Sequence, residues 1–139
     1  MKKLLLIFVL ALVAFGVAAC DSRPVLNILN WGEYINDEVV KNFEEEYGIN
    51  VKISVADSNE LFYSKIKSGT TPFDLVIPSD YMIEKMVEED MLIPLDYDLL
   101  PNRENVTYMD GVNQIFDSMA ETTFARTGVT VDYTEYMVP

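Results

Sequence analysis

The sequence predicts an α/β fold with a mostly parallel sheet flanked by helices. Three observations carry that expectation: strand-type and helix-type apolar patterns alternate three times over residues 25–88, each helical stretch opens on a capping residue, and two of them close on glycine. Parallel strands need a long crossover between them, and an amphipathic helix is the usual one.

Val25 to Asn30 is a short β-prone run that stops at the loop Trp31-Gly32-Glu33-Tyr34-Ile35-Asn36. Asn36 or Asp37 then caps a helix in which Val39, Val40, Phe43 and Tyr47 share a face, and Gly48 is placed to end it. Asn50 to Ala56 alternates, with Val51, Ile53 and Val55 on one side, as a half-buried strand does. Asp57 or Ser58 caps a second helix carrying Leu61, Phe62 and Ile66, broken by Ser68-Gly69 and Pro72. Asp74 to Pro78 forms a third, apolar strand. Ser79 or Asp80 opens a third helix with Met82, Ile83, Met86 and Val87 inward. Leu92 to Leu95 is expected as a short edge strand, and Gly128 to Tyr133 as another strand candidate near the C-terminus.

The N-terminus has a different grammar. Lys2 and Lys3 precede an unbroken apolar run from Leu4 to Val17, followed by Ala18, Ala19 and Cys20. This order is that of a secretory signal, and the run is shorter than the ~20 apolar residues that span a bilayer. Val17-Ala18-Ala19-Cys20 resembles the lipobox of bacterial lipoproteins, which implies a signal peptide over 1–19, fatty acylation of Cys20 with chains such as palmitate, and a short lipidated tether over 20–24. Cys20 is the one cysteine of the chain, so no disulfide partner accounts for it. A plain secretory signal with an incidental cysteine is the alternative. Stable anchoring takes more than one acyl chain, which a diacylglyceryl group supplies. The expected location is the extracytoplasmic face of a cell membrane.

Of the 139 residues, 23 are acidic and 10 basic, a formal net charge of −13. Two of the ten are Lys2 and Lys3, so the segment after the signal is more acidic still. Such a chain repels phosphate backbones, which excludes nucleic acid as a partner and favours a cationic one. With no histidine and a single cysteine, the usual zinc ligands and Cys/His or Ser/His nucleophiles are missing, and no metal or cofactor site is expected. An enzyme pairing Glu33 with Asp57 or Asp80 for glycoside hydrolysis has no spacing that fixes their separation, and the chain is not read as an enzyme.

Ligands of open α/β sheets bind outside the carboxyl ends of the strands. Three segments fall there: Trp31 to Tyr34, Asp57 to Asn59, and Ser79 to Tyr81. They bring together an indole, a carboxylate, two phenols and a hydroxyl. Aromatic faces attract ammonium groups, by about 0.5–2 kcal/mol per contact, and carboxylates or hydroxyls accept their hydrogens. The set suits an organic cation with methylenes between its charges. Each residue also has a plainer reading: Trp31 as a core residue closing the sheet end, Glu33 as a solvated charge, Tyr34 and Tyr81 as packing residues, Ser79 as a helix cap.

The blocks Leu29 to Ile35, Glu44 to Val51, Ser58-Asn59-Glu60 and Asp74 to Met86 resemble, in order and spacing over about residues 26–100, the amino-terminal part of the spermidine/putrescine-binding proteins of ABC transporters. The resemblance implies a class II periplasmic-binding-protein fold that captures a polyamine, spermidine or putrescine, and delivers it to an ABC transporter permease. By position, Trp31, Glu33 and Tyr34 match that family's first ligand-contacting segment and Ser79 and Tyr81 its second. Gly32 stands where the family often has Ser or Thr. Members are more than twice as long, and the resemblance fades after about residue 116, so residues 25–139 are expected to form only the first lobe, as a truncated version. Two other readings share the same features: a solute-binding fragment for a different small solute, and a surface lipoprotein outside transport.

Overall fold

The computed structural model describes residues 22–102 and 111–136. The expected signal over 1–19 and the lipidation site Cys20 lie outside the described residues. Among the described residues, no helix is long and apolar enough to cross a membrane. The chain divides into two compact units, one of residues 22–26 with Ile35–Val51, the other of Asn27–Tyr34 with residues from Lys52 onward.

Strand β1 (Val25–Asn30), β2 (Asn50–Val55) and β3 (Leu75–Val76) form one sheet in the order β2-β1-β3. β1 pairs with β3 in parallel, Ile28 opposite Leu75 and Leu29 opposite Val76. The expected alternation of strand and helix is realised: α1 (Asp37–Tyr47) follows β1, α2 (Asn59–Ser68) follows β2, and α3 (Asp80–Glu88) follows β3. The third strand is shorter than the apolar run suggested. Pro72 and Pro78 bracket that run, and neither has an N–H to give a ladder.

In the smaller unit, Asn36 caps α1 by accepting from the Glu38 N–H at 2.7 Å, and Gly48, at φ 64°, ends it by donating to the Glu44 carbonyl. Glu44 also accepts from the Val51 N–H at 2.6 Å, which joins the helix to the start of β2. The apolar face expected for α1 exists but is not buried. Val39 and Tyr47 are exposed, and Phe43 and Tyr47 pack on each other with ring centroids 4.6 Å apart and planes tilted by 40°.

The larger unit holds the core. Leu29, Ala56, Phe62, Met82 and Met86 form one buried cluster, with Trp31, Ile66 and Val76 packed against it. Burying a side chain such as Phe62 contributes about 1.5–3 kcal/mol. Ser58 caps α2 by accepting from the Leu61 N–H, and Gly69 ends it, as the sequence predicts. β2 departs from its expected pattern: Ile53 and Val55 are exposed, because β2 is an edge strand and Ala56 rather than Val55 takes the buried position where the strand ends.

Helix α3 serves two cores. Met82 and Met86 join the first cluster, while Val87 joins a second with Phe116, Met119 and Tyr133. Phe116 and Met119 lie on α4 (Val112–Thr127), a helix that the sequence reading did not anticipate. Two strand expectations are corrected here. Residues 92–95 are not a strand: Pro94 lacks a donor and the Leu95 N–H goes to the Glu135 carbonyl at 2.7 Å. Residues 128–133 are not a strand either, since Gly128 ends α4 at φ 74° and Asp132 caps a 3₁₀ turn over Tyr133–Glu135.

Candidate functional site

The carboxyl ends of all three strands meet within the larger unit. The Ala56 N–H at the end of β2 donates to the Asn30 carbonyl at the end of β1, and the Ile77 N–H just past β3 donates to the Leu29 carbonyl. Each connection therefore starts from the same edge of the sheet, and the three expected segments gather there.

Trp31 is the first tie between them. Its indole N–H donates to the Ile77 carbonyl at 2.7 Å, which links the loop after β1 to the end of β3. Its ring packs on Phe62 with centroids 4.8 Å apart, and Tyr34 stands 6.4 Å away on a plane tilted by 36°. The core-residue reading of Trp31 thus holds for part of the side chain, which is half-buried. Tyr34 is 71% exposed and Tyr81, in the first turn of α3, is 53% exposed. Both phenols are more open than packing residues need be.

Glu33 is exposed and its backbone sits at φ 60°. A left-handed non-glycine residue costs on the order of 1 kcal/mol or more and persists only where its surroundings hold it. In that loop the tight turn begins at Gly32, whose missing side chain would meet only Val55 Cγ1 at 3.8 Å, an ordinary contact. Glycine is therefore not required at position 32 by space.

Ser79 is not the ordinary cap that its position suggested. It precedes α3 but makes no side-chain capping bond. Instead Asn59 clamps it: Asn59 Nδ2 donates to Ser79 Oγ at 3.0 Å, and the Ser79 N–H donates to Asn59 Oδ1 at 2.9 Å. The hydroxyl keeps its own hydrogen and a lone pair for a further partner. Asn59 joins the candidate site through these bonds, and the sequence reading named it only as part of a segment. It is buried, unlike most asparagines at a helix start, and its signal was the polar residue directly after the Ser58 cap.

Asn30 was also missed. It is 1% exposed at the end of β1, and its Oδ1 has no hydrogen-bond partner among the described residues. No group of three or more His, Cys, Asp or Glu that could hold a metal ion occurs among the described residues. Neither the groove of about 850 Å³ nor that of about 430 Å³ is lined by Trp31, Glu33, Tyr34, Ser79 or Tyr81, and Glu33, Tyr34 and Tyr81 stand exposed.

A parallel sheet whose strands alternate with helices, with aromatic and polar groups where the strands end, has the arrangement in which open α/β folds place their ligand sites. The chain belongs to the bacterial extracellular solute-binding protein family, whose model matches residues 27–139. It is 40% identical over 94 residues to the putrescine-binding periplasmic protein PotF of Escherichia coli, a match covering 68% of this chain and 25% of that protein. It is 36% identical over 107 residues to the spermidine/putrescine-binding periplasmic protein of the same organism, covering 75% and 30% respectively. Among solved structures, the substrate-binding protein PotD of a spermidine/putrescine ABC transporter from Streptococcus pneumoniae superposes with a TM-score of 0.59 at 50% identity, covering 60% of this chain and 26% of that one. These relatives are solute-binding transport proteins, not enzymes. The chain spans about a quarter of their length, and the fold is that of part of a periplasmic binding protein.

Proposed function

We propose that this chain provides polyamine contacts, for spermidine or putrescine, in an extracytoplasmic solute-binding lipoprotein that feeds an ABC importer. Residues 1–19 act as its signal peptide, Cys20 carries the lipid anchor, and residues 25–139 form first-lobe structure. The observation that carries the reading is the convergence of Trp31, Tyr34, Glu33 and Ser79 on one sheet edge, held there by the Trp31–Ile77 and Asn59–Ser79 bonds. Trp31, Tyr34 and Tyr81 offer ring faces to ammonium groups and methylenes, Glu33 offers a carboxylate, and Ser79 offers a hydroxyl lone pair. The left-handed backbone of Glu33 fits a residue held for contact rather than for stability. The relatives named above bind putrescine or spermidine by name, which supports the same ligand class here.

An open surface leaves part of the ligand in water, so each charge contact is weaker than in an enclosed site. Isothermal titration of residues 21–139 with spermidine and putrescine tests the proposal. Saturable binding that Glu33→Gln and Tyr34→Ala each reduce, with the circular dichroism spectrum unchanged, is the expected result. Binding that survives both substitutions, or preference for a neutral solute from a panel of sugars and amino acids, overturns the assignment. Mass spectrometry of the membrane fraction reads the anchor: Cys20→Ser should release the chain from the membrane.

A further inference from the structure

Two serines stand at helix starts in the larger unit and use their hydroxyls differently. Ser58 caps α2, accepting from the Leu61 N–H at 3.2 Å. Ser79 holds the same position before α3, with extended backbone and a carbonyl that accepts from the Met82 and Ile83 N–H groups, yet its side chain makes no capping bond. A serine there ordinarily accepts from the second or third helical N–H, and giving that up costs helix stability. Something else must claim the hydroxyl.

That claim comes from Asn59, the first residue of α2 and only 7% exposed. Its amide can stand only one way round. The Ser79 N–H is a donor and must meet the amide oxygen, at 2.9 Å, which turns Nδ2 toward Ser79 Oγ at 3.0 Å. One lone pair of Oγ is thereby taken and the other stays open. The Tyr81 N–H, a natural target for a capping serine, goes instead to Asp80 Oδ1 at 2.7 Å, so the start of α3 is served without Ser79. We propose that Asn59 is a positioning residue, which withholds the Ser79 hydroxyl from α3 and fixes its open lone pair for the ligand at the strand ends. Without the amide the hydroxyl turns back to cap α3, so affinity falls while the helix start tightens. The identity of the ligand rests on the polyamine reading; the choice of the hydroxyl between two partners does not.

The test titrates the full chain with spermidine and follows amide hydrogen exchange at residues 81–82. Ser79→Ala should weaken binding about fivefold, Asn59→Ala should do the same, and the two together should lose no more than either. Asn59→Asp should recover the affinity, because a carboxylate accepts from both the Ser79 N–H and its hydroxyl and so keeps Oγ in place. Adding Ser79→Ala to Asn59→Asp should again cost about fivefold, which the new charge by itself does not explain. Exchange at residues 81–82 should slow about twofold or more in Asn59→Ala, whereas a merely structural asparagine would leave it unchanged or faster. Additive losses, or faster or unchanged exchange, overturn the proposal. Where circular dichroism shows Asn59→Ala unfolded, the Asn59→Asp pair decides, and equal binding with and without the Ser79 hydroxyl overturns it. A wild-type chain that binds no spermidine counts against the ligand assignment alone, and exchange at residues 81–82 then decides this inference: slower upholds it, faster or unchanged overturns it.

Discussion

The two buried clusters of the larger unit are held in different ways. The first, around Leu29, Phe62, Met82 and Met86, lies beneath the strand-end loops and is an apolar contact set with Trp31 as its lid. The second joins Val87 to Phe116, Met119 and Tyr133 and is bordered by polar ties: Thr123 Oγ1 lies 2.7 Å from the Tyr133 hydroxyl and donates to Glu84 at 2.9 Å, while Arg126 pairs with Glu84 at 2.7 Å and with Glu88. The contrast separates two jobs. The first cluster fixes the geometry of the candidate site, because Phe62 supports the Trp31 ring directly. The second fastens α4 and the last turn to α3 through groups whose worth depends on geometry and pH, and exposed ion pairs such as those of Arg126 contribute little by themselves.

Truncating each cluster sharpens the comparison most. Phe62→Ala removes a fully buried ring from a closed setting and should cost about 3–5 kcal/mol in urea denaturation. Phe116→Ala should cost less, because Phe116 also lines the open groove and part of its surroundings is already solvent. Equal losses would mean that the two cores are packed alike.

Next in size are the polar ties. Tyr133→Phe removes the bond to Thr123 and should cost about 1 kcal/mol. Burial raises the pKa of the Tyr133 phenol above its usual 10.0, against the opposing Thr123 bond. A folded pKa raised above the unfolded one means that this contribution is complete below pH 10 and is lost as pH climbs through the folded value, since only the unfolded chain then ionises freely. Thermal melting of wild type against Tyr133→Phe between pH 8 and about pH 11 should show the wild type alone losing this increment. Parallel curves would remove Tyr133 as the source. In the first cluster, Trp31→Phe keeps a ring on Phe62 but deletes the indole bond to Ile77. It should cost about 1 kcal/mol and also weaken polyamine binding.

The smallest expected effect is at Gly32. Gly32→Ser meets ordinary contact distance, so stability should change by no more than about 0.5 kcal/mol in the same denaturation assay. Titration with spermidine should show equal or tighter binding if the added hydroxyl reaches the ligand. A large loss of stability would mean that the turn needs glycine for its backbone.

Much of the first half was legible from residues alone. Asn36 and Gly48, Ser58 and Gly69 bound their helices as capping chemistry requires, and β1 runs over the expected residues. Periodicity also picked out Met82, Met86 and Val87 as the inner side of α3. The second half resisted for physical reasons. α4 has a weakly segregated apolar face, with Ile115 and Phe124 exposed while Thr123 is buried, so its pattern does not announce a helix. Val129 to Val131 has strand-like residues, yet no strand among the described residues receives them, and Asp132 closes the local turn instead.

The candidate site divides along the same line. Local composition determined which residues stand at the strand ends, because strand and helix boundaries follow from capping, glycine and proline positions that act within a few residues. Tertiary structure alone decided that Trp31 reaches Ile77 across 46 positions of sequence, that Asn59 rather than the helix end engages Ser79, and that Asn30 is buried with no partner for its Oδ1 among the described residues. Those outcomes depend on parallel strands placing distant carboxyl ends side by side. No local pattern encodes that distance, so the sequence determined the parts of the surface while packing decided which of their atoms face one another.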